Sequence, residues 1–126
     1  MGRFSMIPVI TLWQPYASLM ADGYKWIETR SWATKYRGDL GIHAGLKVMR
    51  AECEDFGYDY KTIPRGAILC IVNLVDVVRF PNPRAPPDEY GNFAPDRYGW
   101  LTRDLRVLPE PVPAKGGRML WKWDGY

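Results

Sequence analysis

The run "AILCIVNLVDVV", Ala67 to Val78, constrains this chain more than any other segment. It is apolar at nearly every position, so a strand formed here must be covered on both faces. A strand this long is expected to bend or to carry a bulge, with Asn73 or Asp76 marking the place. Eleven prolines and twelve glycines in 126 residues punctuate the rest of the chain with turns. That punctuation fits strands and loops better than long helices.

The remaining elements follow from local patterns. "VITLW", Val9 to Trp13, is β-branched and predicts a strand. "QPYASLMADG" predicts a helix of about two turns, with Pro15 in its first turn and Gly23 at its end. "KWIETRSW" predicts a strand, and alternation places Trp26, Glu28, Arg30 and Trp32 on one face. Leu40 to Ala44 predicts another strand. Leu46, Met49, Cys53 and Phe56 recur at helical spacing, with Gly57 as a stop. "YGWLTRDLRVLP" and "GRMLWKW" predict two final strands. The segment 81–96, "PNPRAPPDEYGNFAPD", predicts a Pro-rich loop, and loops this long are usually functional or mobile. The expected fold is a single α+β domain over residues 1–126, a small β-barrel of five to six strands with two short helices.

Composition narrows the function classes. With 47% hydrophobic and 25% charged residues, the chain can bury a core. No apolar run approaches a membrane span, and the N-terminus lacks a signal-peptide pattern. A soluble, cytoplasmic protein is expected, with no membrane partner and a monomeric state favoured. Cys53 and Cys70 belong to no CxxC pair and there is one histidine, His43, so no metal site and no cofactor are expected. Net charge is only +3, but it is segregated. Residues 1–50 hold seven Lys or Arg against three acids, whereas residues 51–60 hold four acids and no base. A basic part rich in aromatics attracts phosphates, although segregated charge also serves to solvate two surfaces.

The stretch "GYKWIETRSWATKYRG", residues 23–38, concentrates these features. It sets Lys25, Arg30, Lys35 and Arg37 around Glu28, with Trp26 and Trp32 among them. Arg30 offers a planar fork for phosphate. Lys35 and Arg37 are candidate further phosphate contacts, or else a plain basic turn. Glu28 is placed either to act as a general base or to accept a hydrogen bond from a base, and also to pair with Arg30. Trp13, Gln14 and Tyr16 join the first strand to the helix and are candidates to line a cleft, or else packing and cap residues. Trp32 would stack a base if exposed, although tryptophans more often fill cores; at least one of Trp26 and Trp32 is expected to be buried.

"GYKWIETR" fits the GxKxxExR signature of the ASCH domain family. "ITLWQPYASLMADG", "SWATKYRGDLGIHAG", "GAILCIVNLVDV" and "GRMLWKW" resemble further segments of that family; residues 81–96 match none. The resemblance implies a PUA-like β-barrel with a cleft beside the first helix, and an RNA-related function. Carried over by position, the cleft residues are Lys25, Glu28 and Arg30. Some small bacterial members resemble amidohydrolases acting on an acylated cytidine, with a threonine nucleophile where this chain has Glu28. Thr29 is adjacent but points to the other face.

Two functions therefore stand together. One is a module that binds RNA or a nucleotide through phosphate contacts and a stacked base. The other is a small hydrolase, of amidohydrolase or ribonuclease type, with Lys25 and Glu28 as the catalytic pair. Docking of a protein on the acidic segment Lys47 to Phe56 is a third, less supported possibility.

Overall fold

The computed structural model describes residues 6–125. Its elements run β1 (Ile7–Gln14), α1 (Tyr16–Ala21), β2 (Ile27–Arg30), β3 (Gly38–Val48), α2 (Arg50–Asp55), β4 (Ala67–Arg79), β5 (Tyr98–Pro113) and β6 (Trp121–Trp123). The strands form one mixed sheet in the order β2-β5-β4-β3-β1-β6. Only β1 and β3 run parallel, with α1 and β2 in the crossover between them. The doubly apolar run becomes β4, which pairs with β5 along its length and with β3 from Ala67 to Leu74. Its register against β5 shifts three times: between Ile71 and Asn73 and between Leu74 and Asp76, at the two polar positions that interrupt the run, and also between Ile68 and Cys70, within its apolar part.

The fold is α+β with six strands and two short helices, but the sheet is not a closed barrel. Its end strands, β2 and β6, do not pair. Both are too short to close it: β6 has three residues, held to Ile7–Val9 of β1, and β2 has four, held to Tyr98–Leu101 of β5. A side chain spans part of the gap instead, since Arg30 on β2 donates from Nη2 to the Thr11 carbonyl of β1 at 2.7 Å.

The main core gathers Ile10, Leu12, Leu40, Ile42, Leu74 and Trp100 from the sheet and Ala17 and Met20 from α1. Burying such side chains contributes about 1.5–3 kcal/mol each. A smaller cluster of Ile27, Val78, Phe80, Ala85 and Leu101 sits under the Pro-rich loop. There Gly99 has no room for a side chain, since a Cβ would lie 2.7 Å from the Phe80 ring. Cys53 and Cys70 are free and buried, and burial pushes the Cys70 thiol up to about 12. No helix among the described residues is long and apolar enough to cross a membrane.

Two local expectations shift. The second helix is shorter than its spacing predicted, because β3 continues through Val48 and leaves Leu46 exposed. The expected strand over Lys25–Trp32 pairs only from Ile27 to Arg30.

Candidate functional site

α1 begins where Gln14 folds back on it. The Gln14 Oε1 accepts the Ser18 amide at 2.9 Å, and its Nε2 donates to Ser18 Oγ and to the Pro64 carbonyl. This satisfies one of the amides that a helix start leaves without a partner. Gln14 is fully buried and does not line a cleft. At the other end Gly23, with φ +84°, turns the chain so that Lys25 enters the interior beside β2.

Lys25 is 3% exposed, which for an ammonium requires partners. It has three: the Ile27 carbonyl at 2.7 Å, the Tyr90 carbonyl at 2.8 Å and Glu28 Oε1 at 3.2 Å. Two of its donors are used by the carbonyls, and the Glu28 contact is an ion pair without a hydrogen bond. The other Glu28 oxygen, Oε2, lies 2.8 Å from Arg30 Nε. That contact is an ion pair without an aligned hydrogen bond, since the buried Nε–H is directed at no acceptor. Among the described residues Arg30 Nη1 makes no hydrogen bond, so part of the fork stays available.

Glu28 and Arg30 form the floor of a cleft of about 520 Å³. Its walls include Thr11, Trp13, Tyr16, Thr29, Trp32, Tyr90, Asn92 and Arg97. Trp13 is half exposed, with the Lys47 ammonium 3.7 Å above its ring centre. Burial first, and then Glu52 and Asp55, raise the Tyr16 hydroxyl above its usual range, so it remains a donor. Trp32 is half-buried and meets Trp100 edge-on at 4.9 Å, and its carbonyl accepts the Trp100 indole N–H. Neither Trp26 nor Trp32 is fully buried, because β2 starts only at Ile27 and ends at Arg30, leaving both outside the paired strand.

The structure thus brings together Trp13, Tyr16, Glu28, Arg30 and Trp32, with Lys25 beneath them. It does not bring Lys35 or Arg37 to the cleft. Lys35 is exposed outside it, while Arg37 donates to the Thr34 and Tyr36 carbonyls and to Asp76. Asp76 also accepts from Arg84, and that hydrogen bond above all holds its carboxyl below the usual range. His43 is buried in a structural chain. Its Nε2 donates to the Ala114 carbonyl, its Nδ1 accepts from Thr11 Oγ1, and the Trp121 indole donates to that same hydroxyl.

One wall escaped sequence reasoning. Tyr90, Asn92 and Arg97 come from the Pro-rich loop and its end, pinned by Lys25, by the Asn92 amide to Thr29 Oγ1, and by Arg97 to the Asn92 and Thr29 carbonyls. The loop's length was the only signal pointing there.

The sequence model of the ASCH domain matches residues 10–97, a span containing every cleft residue just named. The chain belongs to the ASCH domain family. ASCH-family likeness extends to Activating signal cointegrator 1 of Homo sapiens, 26% identical over 130 residues, and to its counterpart in Mus musculus, 25% identical. Each alignment takes in 91% of this chain and 22% of the relative, so the chain spans about a fifth of their length. A crystal structure of a mutant ZmASCH protein from Zymomonas mobilis shares the fold, with a TM-score of 0.54 and 17% identity over 84% of this chain and 74% of that one. Within this ASCH domain, the signature Lys25, Glu28 and Arg30 form one ionic unit, with only Glu28 and Arg30 reaching the cleft surface.

Proposed function

We propose that the cleft binds a nucleotide or a short segment of RNA, with phosphate beside Arg30 and Arg97 and a base against an aromatic wall. The observation that carries this reading is the composition of one cleft: two guanidinium groups and the rings of Trp13, Tyr16, Trp32 and Tyr90 around an ionic floor. A volume of about 520 Å³ suits a small ligand, as such sites usually span about 300–1,000 Å³. Membership of the ASCH family, whose PUA-like relatives commonly bind RNA, supports the same class of ligand.

Binding is favoured over hydrolysis by the state of Lys25. A catalytic lysine must bring a proton or charge to a reacting atom, and here the ammonium is buried, already donates to two backbone carbonyls and does not line the cleft. In this reading Lys25 positions Glu28, and Glu28 accepts a hydrogen bond from the base. The test is titration of mononucleotides and short RNAs, with product analysis on the same samples. Arg30→Ala is expected to weaken binding by about tenfold or more and to reduce its salt dependence. Binding that ignores both salt and Arg30 would remove the cleft from the reading. Turnover lost in Glu28→Gln would replace it with the hydrolase.

A further inference from the structure

Resting on the nucleotide-binding reading of the cleft, we propose that the cleft holds one nucleotide of a longer single strand of RNA, and that the neighbouring phosphates leave it over a basic patch formed by Lys47, Lys115 and Arg118.

The patch is built where the chain returns to β1. Residues 111–123, "PVPAKGGRMLWKW", hold three bases and no acid. Residues 114–120 belong to no strand, yet they are fastened down. The Ala114 amide donates to the Gly66 carbonyl at 3.0 Å, and the Ala114 carbonyl accepts from His43 Nε2 at 2.7 Å. Gly116 lies so close to the same imidazole that a Cβ would be 3.0 Å from its Cε1. The Trp121 indole donates to Thr11 Oγ1, and its ring meets His43 edge-on at 5.3 Å. Thr11 also lines the cleft, and its carbonyl accepts from Arg30. One residue of β1 therefore holds this segment by its side chain and the guanidinium of the cleft by its backbone.

Register places the bases. β6 pairs Trp121 with Val9 in antiparallel fashion. The chain entering β6 therefore comes from the level of Thr11 and Leu12, which both line the cleft, and brings Arg118 and Met119 past them. Lys122 pairs with Pro8 and by alternation lies on the face opposite Trp121, outside the patch. Lys47 completes the patch from β3. Its ammonium is 3.7 Å from the ring centre of Trp13, which lines the cleft while Lys47 does not. A base stacked on the cleft side of Trp13 would have that ammonium behind the ring.

Charge gives the strand its direction. Lys47, Lys115 and Arg118 are exposed, and among the described residues none of them makes an ion pair. The opposite end of the cleft is acidic. Glu89 is part of its lining, the Phe56 ring beyond α2 meets Tyr90 at 5.2 Å, and Glu52 and Asp55 of α2 act on the Tyr16 hydroxyl. Phosphates are repelled from the Tyr16 and Tyr90 side and drawn to the Thr11 and Trp13 side. A lone mononucleotide would leave the three cations unused, whereas a strand that stacks one base and runs on over basic residues engages both. Lys115 and Arg118 lie beyond residues 10–97 matched by the family, so membership does not assign them a role.

The probes are a labelled single-stranded RNA hexamer of mixed sequence and the four 5′-mononucleotides. The hexamer should bind at least about tenfold more tightly than any mononucleotide. The double variant Lys115→Ala, Arg118→Ala changes exposed positions and should keep the native circular dichroism. It should weaken the hexamer by about fivefold or more, lower the salt slope by about 0.7 per cation removed, and leave mononucleotide affinity unchanged. The control is Lys61→Ala, Arg103→Ala, which removes two exposed cations found in neither the cleft nor the patch. Three outcomes overturn the proposal: a hexamer no tighter than a mononucleotide, an unchanged salt slope in the first double variant, and an equal loss in the control. Weakening of the hexamer by Arg30→Ala with none in the double variant overturns it while keeping the cleft. Weakening in the double variant with none in Arg30→Ala overturns the cleft reading and, with it, the continuous path.

Discussion

Residues 25–30 and residues 35–37 belong to one basic stretch, yet Lys25 and Glu28 are buried while Lys35 and Arg37 face solvent. The difference is strand pairing. Ile27 to Arg30 lie on β5, with Glu28 opposite Trp100, so their side chains are carried between the sheet and the Pro-rich loop. Residues 31–37 have no strand partner, and Arg37 settles for two local carbonyls and Asp76. Equal charge in the sequence therefore becomes a buried network in one place and a solvated rim in the other. Buried charge is costly to leave unpaired, whereas exposed pairs contribute little.

Substitution measures that contrast. Lys25→Met should have the largest effect, because it removes the buried charge that faces Glu28 and leaves two carbonyls without their donor. A loss of about 3–5 kcal/mol in urea unfolding is expected. A loss no greater than that of Arg37→Ala would abolish the distinction between the two regions. Glu28→Gln keeps the shape but removes the charge facing Lys25, and about 1–3 kcal/mol of destabilisation should follow. Chemical denaturation of both variants in parallel ranks them.

Trp13→Ala tests the cleft rim rather than the network. Its ring is half exposed, so folding should survive while nucleotide affinity falls by about 1–3 kcal/mol if a base stacks there. Calorimetric titration reads this directly. Arg37→Ala should cost only about 0–1 kcal/mol of stability and leave the salt dependence of binding unchanged. A changed salt slope would bring the rim back into the binding surface.

The smallest effect concerns acid. The folded Asp76 carboxyl titrates below its unfolded value, chiefly through the Arg84 hydrogen bond. Its contribution is therefore present above the unfolded value, about pH 3.9, and is lost as pH falls through the folded one. Asp76→Asn should make the stability profile slightly flatter below about pH 4, and this is measurable by denaturation at several pH values.

How much of this was readable in advance depended on the range of the interaction. β4 was plain because an unbroken apolar run has few other solutions, and two of its three register shifts against β5 fell at the polar interruptions, while the third, between Ile68 and Cys70, had no signal in the run. Glu28 and Arg30 were placed on one face by alternation alone. The Leu46–Phe56 periodicity misled at its start, because pairing of β3 with β1 and β4 outweighed local spacing. Lys25 and Tyr90 are 65 residues apart, and no local pattern announces a contact between a buried ammonium and a loop carbonyl. Gln14 looked like a cleft residue by position, but its bond to Pro64 lies 50 residues away. Closed and open sheets differ only in whether two end strands meet, and here that turned on the lengths of β2 and β6, which the sequence pattern overstated.

The bond from Arg30 to the Thr11 carbonyl gives the molecule a seam fastened by a button rather than by stitching. A backbone ladder opens only by peeling several bonds in order, whereas a single side chain can let go and return alone. The same guanidinium faces the cleft, so an anion held there would keep the button fastened. Hydrogen exchange at β2, β1 and the Pro-rich loop should then slow together when the cleft is filled, with β4 as an unchanged internal standard.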